Sequence, residues 1–482
     1  MIKFRIIFRI LGALLVIESA FLLISAIISA LYSEKAVYSL FISTGITGGV
    51  GGISWFINRN CPSEINRREG YLIVSLVWIV FSLFGAIPFV LHGGIPSYTD
   101  AFFETMSGFT TTGASILNDI ESLPKGLLFW RSITQWIGGM GMIVMSLAIL
   151  PIFGIGGMEL FVAEVPGPTA DKIHPRVSAT AKRLWGIYIS LTLAEIILLI
   201  TGGMNLFEAV NHSFTTMATG GFSTNQSSII DQSAFIQYVI AFFMIIAGTN
   251  FSLVYFAIKL KFKKVLFNEE FRTYLSIILA FTIALTVLLF FKDNVADFEK
   301  AFRDALFQVV SIITTTGYVS SDYLSWGSIG IALILTLMFI GGSAGSTGGG
   351  IKVVRVMLLL KNSYLEFKRL LHPNAIIPVR INQRAVKPEI ITNVLAFAIF
   401  YLIIFSISSL IMTTLGLDID TAMGSSITCL GNIGPGIGDV GPMDNFADIP
   451  GAGKWILSFL MVLGRLELFT VMIIFSPVFW RR

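Results

Sequence analysis

Phe109-Thr110-Thr111-Thr112-Gly113-Ala114-Ser115 is a polar string, punctuated by one glycine, inside an otherwise apolar region. Similar strings recur at 216–223 (Thr-Met-Ala-Thr-Gly-Gly-Phe-Ser), 313–320 (Ile-Thr-Thr-Thr-Gly-Tyr-Val-Ser) and 428–434 (Thr-Cys-Leu-Gly-Asn-Ile-Gly). Gly113, Gly220, Gly317 and Gly431 lie 107, 97 and 114 residues apart. Near-equal periods with matching local chemistry mark a duplicated unit. Each string ends a Thr/Gly-rich apolar stretch, near 100–116, 207–224, 301–320 and 420–438, too short and too polar to cross a bilayer. Such stretches read as re-entrant segments, tolerated at membrane depth where protein or water satisfies the backbone.

Around them lie apolar runs of spanning length, about 20 residues each. Ten are expected, at 10–31, 38–57, 70–91, 126–150, 184–203, 234–258, 271–291, 328–360, 389–415 and 454–479. The composition agrees: 55% of the 482 residues are apolar or aromatic and only 13% are charged. Mean hydropathy is +0.81. A soluble domain could not bury so much apolar side chain, which excludes a soluble enzyme, a nucleic-acid reader and a disordered chain. The fold class is therefore an all-α polytopic membrane protein: two N-terminal spans, then four units of span, re-entrant stretch and span, an order that would suit helix–pore loop–helix units around a central ion pore. The expected divisions are 1–57 for the N-terminal pair and 70–150, 182–258, 269–360 and 389–479 for units one to four.

With the N-terminus in the cytoplasm, 25 of the 33 Lys/Arg fall on the inner side and seven on the outer, with Arg465 inside a span. The positive-inside rule fixes that orientation, and an even number of spans returns the C-terminus to the cytoplasm. Of the 29 acids, 17 fall outside, including Asp100, Glu104, Asp119, Glu121, Asp322 and Asp420. An outer mouth lined with carboxylates concentrates cations.

Half-helices entering from outside near Asp100, Glu208, Glu299 and Asp420 would aim their partly negative C-termini at the midplane, which favours a cation. Beyond them a Thr-x-Gly strand can turn its carbonyls inward, because glycine permits the dihedrals required. Four such strands around one axis form an oxygen ring able to replace an ion's hydration shell. Residues 341–350, Gly-Gly-Ser-Ala-Gly-Ser-Thr-Gly-Gly-Gly, hold six glycines within an apolar run. Each costs roughly 1 kcal/mol of helix, so a mid-membrane break is expected there. Arg465 sits near the bilayer centre, where a charge normally faces a cavity or a partner. It reads either as one half of a structural Arg–Glu pair to another helix or as a positive barrier below the ring.

The strings Phe-Phe-Glu-Thr-Met-Ser-Gly-Phe-Thr-Thr-Thr-Gly-Ala (102–114), Met-Ala-Thr-Gly-Gly-Phe-Ser-Thr (217–224), Gly-Gly-Ser-Ala-Gly-Ser-Thr-Gly-Gly-Gly-Ile-Lys (341–352) and Gly-Arg-Leu-Glu (464–467) resemble the Trk/Ktr/HKT superfamily of potassium transporters. The likeness covers essentially the whole chain. The extra pair of spans before residue 58 makes it closer to TrkH-type subunits of bacterial Trk systems than to KtrB. The resemblance implies potassium as the transported ion, a homodimer in the inner membrane of a prokaryote, and a cytosolic ring of nucleotide-binding regulatory subunits similar to TrkA. Carried onto this sequence, it implies a filter of Thr110, Thr111, Thr112 and Gly113; Thr219, Gly220 and Gly221; and Thr315, Thr316 and Gly317, with a fourth element. That fourth element departs from the pattern: Leu430 stands in place of threonine, and either Gly431 or Gly434, with Asn432 between them, could supply the glycine. The same resemblance makes the glycine-rich segment (Gly345, Gly348, Gly349, Gly350) and Arg465 the gate. Neither a nucleophile–base pair nor a nucleotide loop is visible in the sequence, so no catalysis, organic cofactor or nucleic acid is expected in this chain. The rival mechanism is a sodium- or proton-coupled alternating-access transporter, which would show two inverted repeats instead of four same-sense units.

Overall fold

A computed structural model describes residues 2–61, 65–141, 177–292 and 297–481. Among them the regular structure is helical apart from one two-stranded hairpin. The chain opens with the antiparallel pair Phe4–Leu31 and Ala36–Ile57. These helices meet at glycines: a Cβ on Gly12 would lie 2.7 Å from Gly51 O, and one on Gly51 would lie 2.8 Å from Gly12 O. Small residues let backbones approach this closely where no hydrophobic effect separates helix from lipid. The turn between the two helices is fastened to the first unit by Glu34, whose carboxylate accepts from Lys125 N (2.7 Å) and Gly126 N (3.0 Å). Pro124 offers that helix no side-chain cap, so Glu34 supplies one from elsewhere in the chain.

Six helices among the described residues are long and apolar enough to cross a membrane: Phe4–Leu31, Ala36–Ile57, Arg68–His92, Lys182–Thr201, Glu269–Phe291 and Pro388–Thr414. Two further pairs, Ala234–Ala247 with Phe251–Ile258 and Gly451–Arg465 with Phe469–Phe475, bend by 109° and 110° and raise the number to eight if each counts as one span. Of the ten runs expected, those at 234–258 and 454–479 bend where no break was expected, and that at 328–360 breaks at its glycines as expected. The run at 328–360 divides into Gly327–Met338 and Val353–Leu371, because the six glycines between them leave the helix. Its edges are held by a parallel bridge between Ile340 and Ile351. At 248–250 the chain breaks where Asn250 leaves one helix and caps the next, its Oδ1 accepting from Ser252 N at 2.8 Å. In the last run, Glu467 and Leu468 take φ of 56° and 52°, a left-handed step that no helix accommodates. The run at 126–150 is described as Lys125–Trp136 followed by a π-helical turn, Ile137–Gly141; the rest of it lies outside the described residues.

Between the long helices sit four short ones: Tyr98–Phe109, Leu206–Met217, Phe298–Ile313 and Ile419–Gly431. On the side holding most of the basic residues, a hairpin pairs Arg380–Ile381 with Arg384–Ala385. Its two-residue loop, Asn382-Gln383, takes φ of 48° and 65°, the double left-handed turn that matches strand twist.

Candidate functional site

Each short helix starts with a side-chain cap. Ser97 Oγ accepts from Asp100 N, Asn205 Oδ1 from Glu208 N, Asp297 Oδ1 from Glu299 N and Asp418 Oδ2 from Thr421 N. A first-turn acid accompanies each cap: Asp100, Glu208, Glu299 and Asp420. Both features satisfy the positive end of the helix. The Asp418 carboxyl, accepting from Thr421, is held below its ordinary pKa.

The C-termini repeat one turn four times. Thr112 N donates to Ser107 O, Gly220 N to Thr215 O, Thr316 N to Ser311 O and Ile433 N to Thr428 O, at 2.8–3.0 Å. This is the long bond of a Schellman termination. The residue before each donor is left-handed: Thr111 (φ 54°), Thr219 (55°), Thr315 (58°) and Asn432 (54°). The residue after each donor is a glycine with positive φ: Gly113 (85°), Gly221 (75°), Gly317 (82°) and Gly434 (106°). Three β-branched threonines held left-handed are true outliers, the kind of strain that gathers at working sites.

The four turns close on one another. A Cβ on Gly113 would overlap Gly220 O, one on Gly221 would overlap Thr316 O, and one on Gly317 would overlap Ile433 O. The ring is completed where a Cβ on Gly434 would come within 3.1 Å of Thr112 O. Of the two glycines left open for the fourth element this geometry selects Gly434, and in the second string it matches Gly221 to Gly113 where the spacing used Gly220. The equivalent glycines are Gly113, Gly221, Gly317 and Gly434, and the fourth strand is Asn432-Ile433-Gly434. Leu430 and Gly431 belong to the last turn of the helix Ile419–Gly431 and stand outside the strand. Gly220 occupies the position of Thr112, and Thr110 is the C-cap of its helix, its hydroxyl 2.8 Å from that of Thr112. Asn432 stands where the other strands have threonine because asparagine tolerates the left-handed region. The signal in the sequence is the hydroxyl five residues ahead of each donor: Ser107, Thr215, Ser311 and Thr428.

Buried side chains that spacing alone did not single out brace the strands. Gln135 donates through Nε2 to Gly220 O (2.7 Å) and accepts through Oε1 from Phe222 N (3.0 Å). Arg131 Nε bonds Glu104 Oε1 at 2.6 Å, with the two side chains 3% and 1% exposed. Glu104 also accepts from Ile116 N (2.9 Å), while Arg131 donates to Ser223 O (2.8 Å) and stacks over Phe222. Asn432 Nδ2 donates to Thr112 Oγ1 and to Met461 O, both at 2.9 Å. Tyr318 OH bonds Thr215 Oγ1 and His212 O, tying the third strand to the second helix. Outside the ring, Asp322, Asp439 and Asp444 lie near one another; partial burial, then its two acidic neighbours, raise the Asp444 carboxyl above its ordinary pKa.

On the opposite side of the ring the glycine-rich segment runs across the helix C-termini. Thr347 Oγ1 donates to Met217 O and Ala247 O, and Gly349 N donates to Thr315 Oγ1 at 2.7 Å. A Cβ on Gly348 would lie 2.8 Å from Thr314 O, and one on Gly349 would lie 2.5 Å from Gly431 O. Gly345 faces Asn250, and Gly350 (φ 65°) packs on Gly341. Arg465 donates to Thr347 O (2.7 Å) and to Gly138 O (2.6 Å), and also to Gly139 O. It thus links the last unit, the glycine-rich segment and the π-helical turn of the first. Glu467 pairs with Arg355. Lys352 Nζ caps Gly348 O.

The TrkH family model, described as a cation transport protein, matches residues 39–482. The Trk system potassium uptake protein TrkH of Escherichia coli (strain K12) is 41% identical over 99% of this chain and 99% of its own. Its namesake in Vibrio parahaemolyticus is 39% identical over 99% of this chain and 100% of its own. The crystal structure of the potassium transporter TrkH from Vibrio parahaemolyticus superposes with a TM-score of 0.90 and 37% identity, covering 100% of both chains.

Proposed function

The chain belongs to the TrkH family of cation transport proteins, and from that premise we propose that it takes up potassium across the inner membrane of a prokaryote through a channel-like pore, with both termini in the cytoplasm. The filter is the ring of Thr111–Gly113, Thr219–Gly221, Thr315–Gly317 and Asn432–Gly434. What carries this reading is the fourfold turn: four helix C-termini and four left-handed steps meet around one axis. Helix ends of that polarity favour a cation, and strand oxygens can stand in for its water shell. The glycine-rich segment 341–350 and Arg465 form the gate below. The guanidinium bonds loop carbonyls that would otherwise face a passing ion, and its charge repels that ion. A homodimer and a TrkA-like nucleotide-binding regulatory subunit complete the assembly, and potassium enters as cargo.

The test is rubidium-86 uptake into proteoliposomes holding the chain, in competition with potassium, sodium and lithium. Block by potassium but weakly by sodium supports the reading. Uptake that needs an imposed sodium or proton gradient favours the coupled transporter instead. In the same vesicles Arg465→Ala should raise uptake by roughly tenfold, because it removes charge-assisted bonds that hold the loop. A folded variant that conducts no faster would assign Arg465 to structure alone.

A further inference from the structure

The helix Glu269–Lys292 begins at the junction of two otherwise separate parts of the molecule. Its first N–H, on Glu269, donates to Asn382 Oδ1 at the tip of the hairpin (2.9 Å). The Glu269 carboxylate pairs with Lys361, which in turn donates to Arg380 O (3.0 Å). One residue further, Glu270 turns inward, is 9% exposed, and accepts from Ala344 N of the glycine-rich segment at 2.6 Å. A single helical turn therefore grips the surface hairpin with one residue and the intramembrane loop with the next.

We propose that Glu270 is a positioning residue that holds the glycine-rich segment beneath the Thr-Gly ring, and that the hairpin Arg380–Ala385 sets how firmly it does so. The inference rests on the gate reading given above. An N–H donated to a buried carboxylate is a charge-assisted bond in a low dielectric, stronger than the neutral bonds around it. Ala344 has no side chain with which to replace it. Further bonds of the segment run to the membrane-embedded units, Ser343 N to Gly248 O and Thr347 N to Ala247 O among them. Through Glu270 the loop reaches an element anchored at the surface, so a displacement of the hairpin tilts the helix end and loosens the loop.

The experiment uses the full chain in proteoliposomes with Cys61→Ser, leaving the buried Cys429 in place, and Ser346→Cys in the loop as a reporter. Two quantities are read: the rate of maleimide modification at position 346 and rubidium-86 uptake. Glu270→Ala should raise both by about tenfold, the range expected for losing a bond to a charged acceptor. Glu270→Gln keeps an acceptor oxygen and should return both toward the parent. Asn382→Ala should give a smaller rise in both and add nothing on top of Glu270→Ala. Unchanged reactivity in a folded Glu270→Ala protein overturns the inference. Raised reactivity with unchanged uptake supports the tether and overturns the gate reading beneath it. If Glu270→Ala does not fold, Asn382→Ala carries the test alone, and unchanged reactivity there overturns the proposal.

Discussion

Gly434→Ala is expected to lower potassium-selective uptake by at least about tenfold, while Gly431→Ala leaves the discrimination between potassium and sodium nearly intact. Gly434 has a φ of 106°, and an added Cβ would sit 3.1 Å from Thr112 O and 3.4 Å from Gly113 C. A left-handed L-residue costs roughly 1–2 kcal/mol before any contact is counted. Here the obstruction is backbone, which cannot rotate away. Gly431 is helical, where alanine is favoured by about 1 kcal/mol. Its added Cβ would meet Ile433 Cδ1 at 2.9 Å, the free end of a flexible side chain. Uptake competition by sodium, measured on both variants and on Gly113→Ala, Gly221→Ala and Gly317→Ala, tests the register. The Gly434 variant should group with those three. If Gly431→Ala groups with them instead, the fourth strand has been placed three residues too far along.

That pair of glycines also shows where the sequence stops being legible. The first three strings share Thr-x-Gly closely enough to be aligned by eye, and the glycine-rich segment reads as a break from composition alone. Each short helix carries its acid in the first turn, so its start is written locally. The fourth strand is not written in residue types. Its left-handed position accepts asparagine as readily as threonine, and only the bond from Ile433 N to Thr428 O fixes which glycine follows. The 110° bend falls at Glu467 and Leu468, which are neither proline nor glycine. There the chain takes a left-handed step at residues that propensity would keep helical, while Glu467 engages Arg355 on another helix. Gln135 stays invisible for a different reason, and Glu104, read as one of the outer-mouth acids, is instead buried against Arg131. Read along the chain, Arg131 is one more basic residue near the outer face. Its partner Glu104, 27 positions away, meets it only when two helices of the first unit pack, and Ser223, 92 positions away, only when the second unit packs against the first.

That packing makes the Glu104–Arg131 pair the most sensitive contact outside the ring. Glu104→Gln should destabilise the protein by about 3–5 kcal/mol, the cost of stranding one member of a buried ion pair. Arg131→Gln should cost less, and the asymmetry follows from the partners that each stranded charge keeps. A guanidinium cannot lose its proton, so Arg131 without Glu104 stays charged among Phe222 and backbone. The Glu104 carboxylate without Arg131 keeps two donors, Ile116 N at 2.9 Å and the Ser115 hydroxyl at 3.1 Å. The double variant Glu104→Gln/Arg131→Gln buries no charge and should be more stable than Glu104→Gln alone. Thermal unfolding in detergent, followed by loss of the monodisperse elution peak, reads all three. Small and equal losses for both single variants would mean that the site is wet enough to screen the charges, and the pair would then contribute no more than a surface contact. The uptake assay gives the second half of the argument. The pair holds Ile116 and Ser223, the residues that leave the first and second strands. A fraction of Glu104→Gln that still folds should therefore lose preference for potassium over sodium before it loses transport itself, because strand position fails before the path closes.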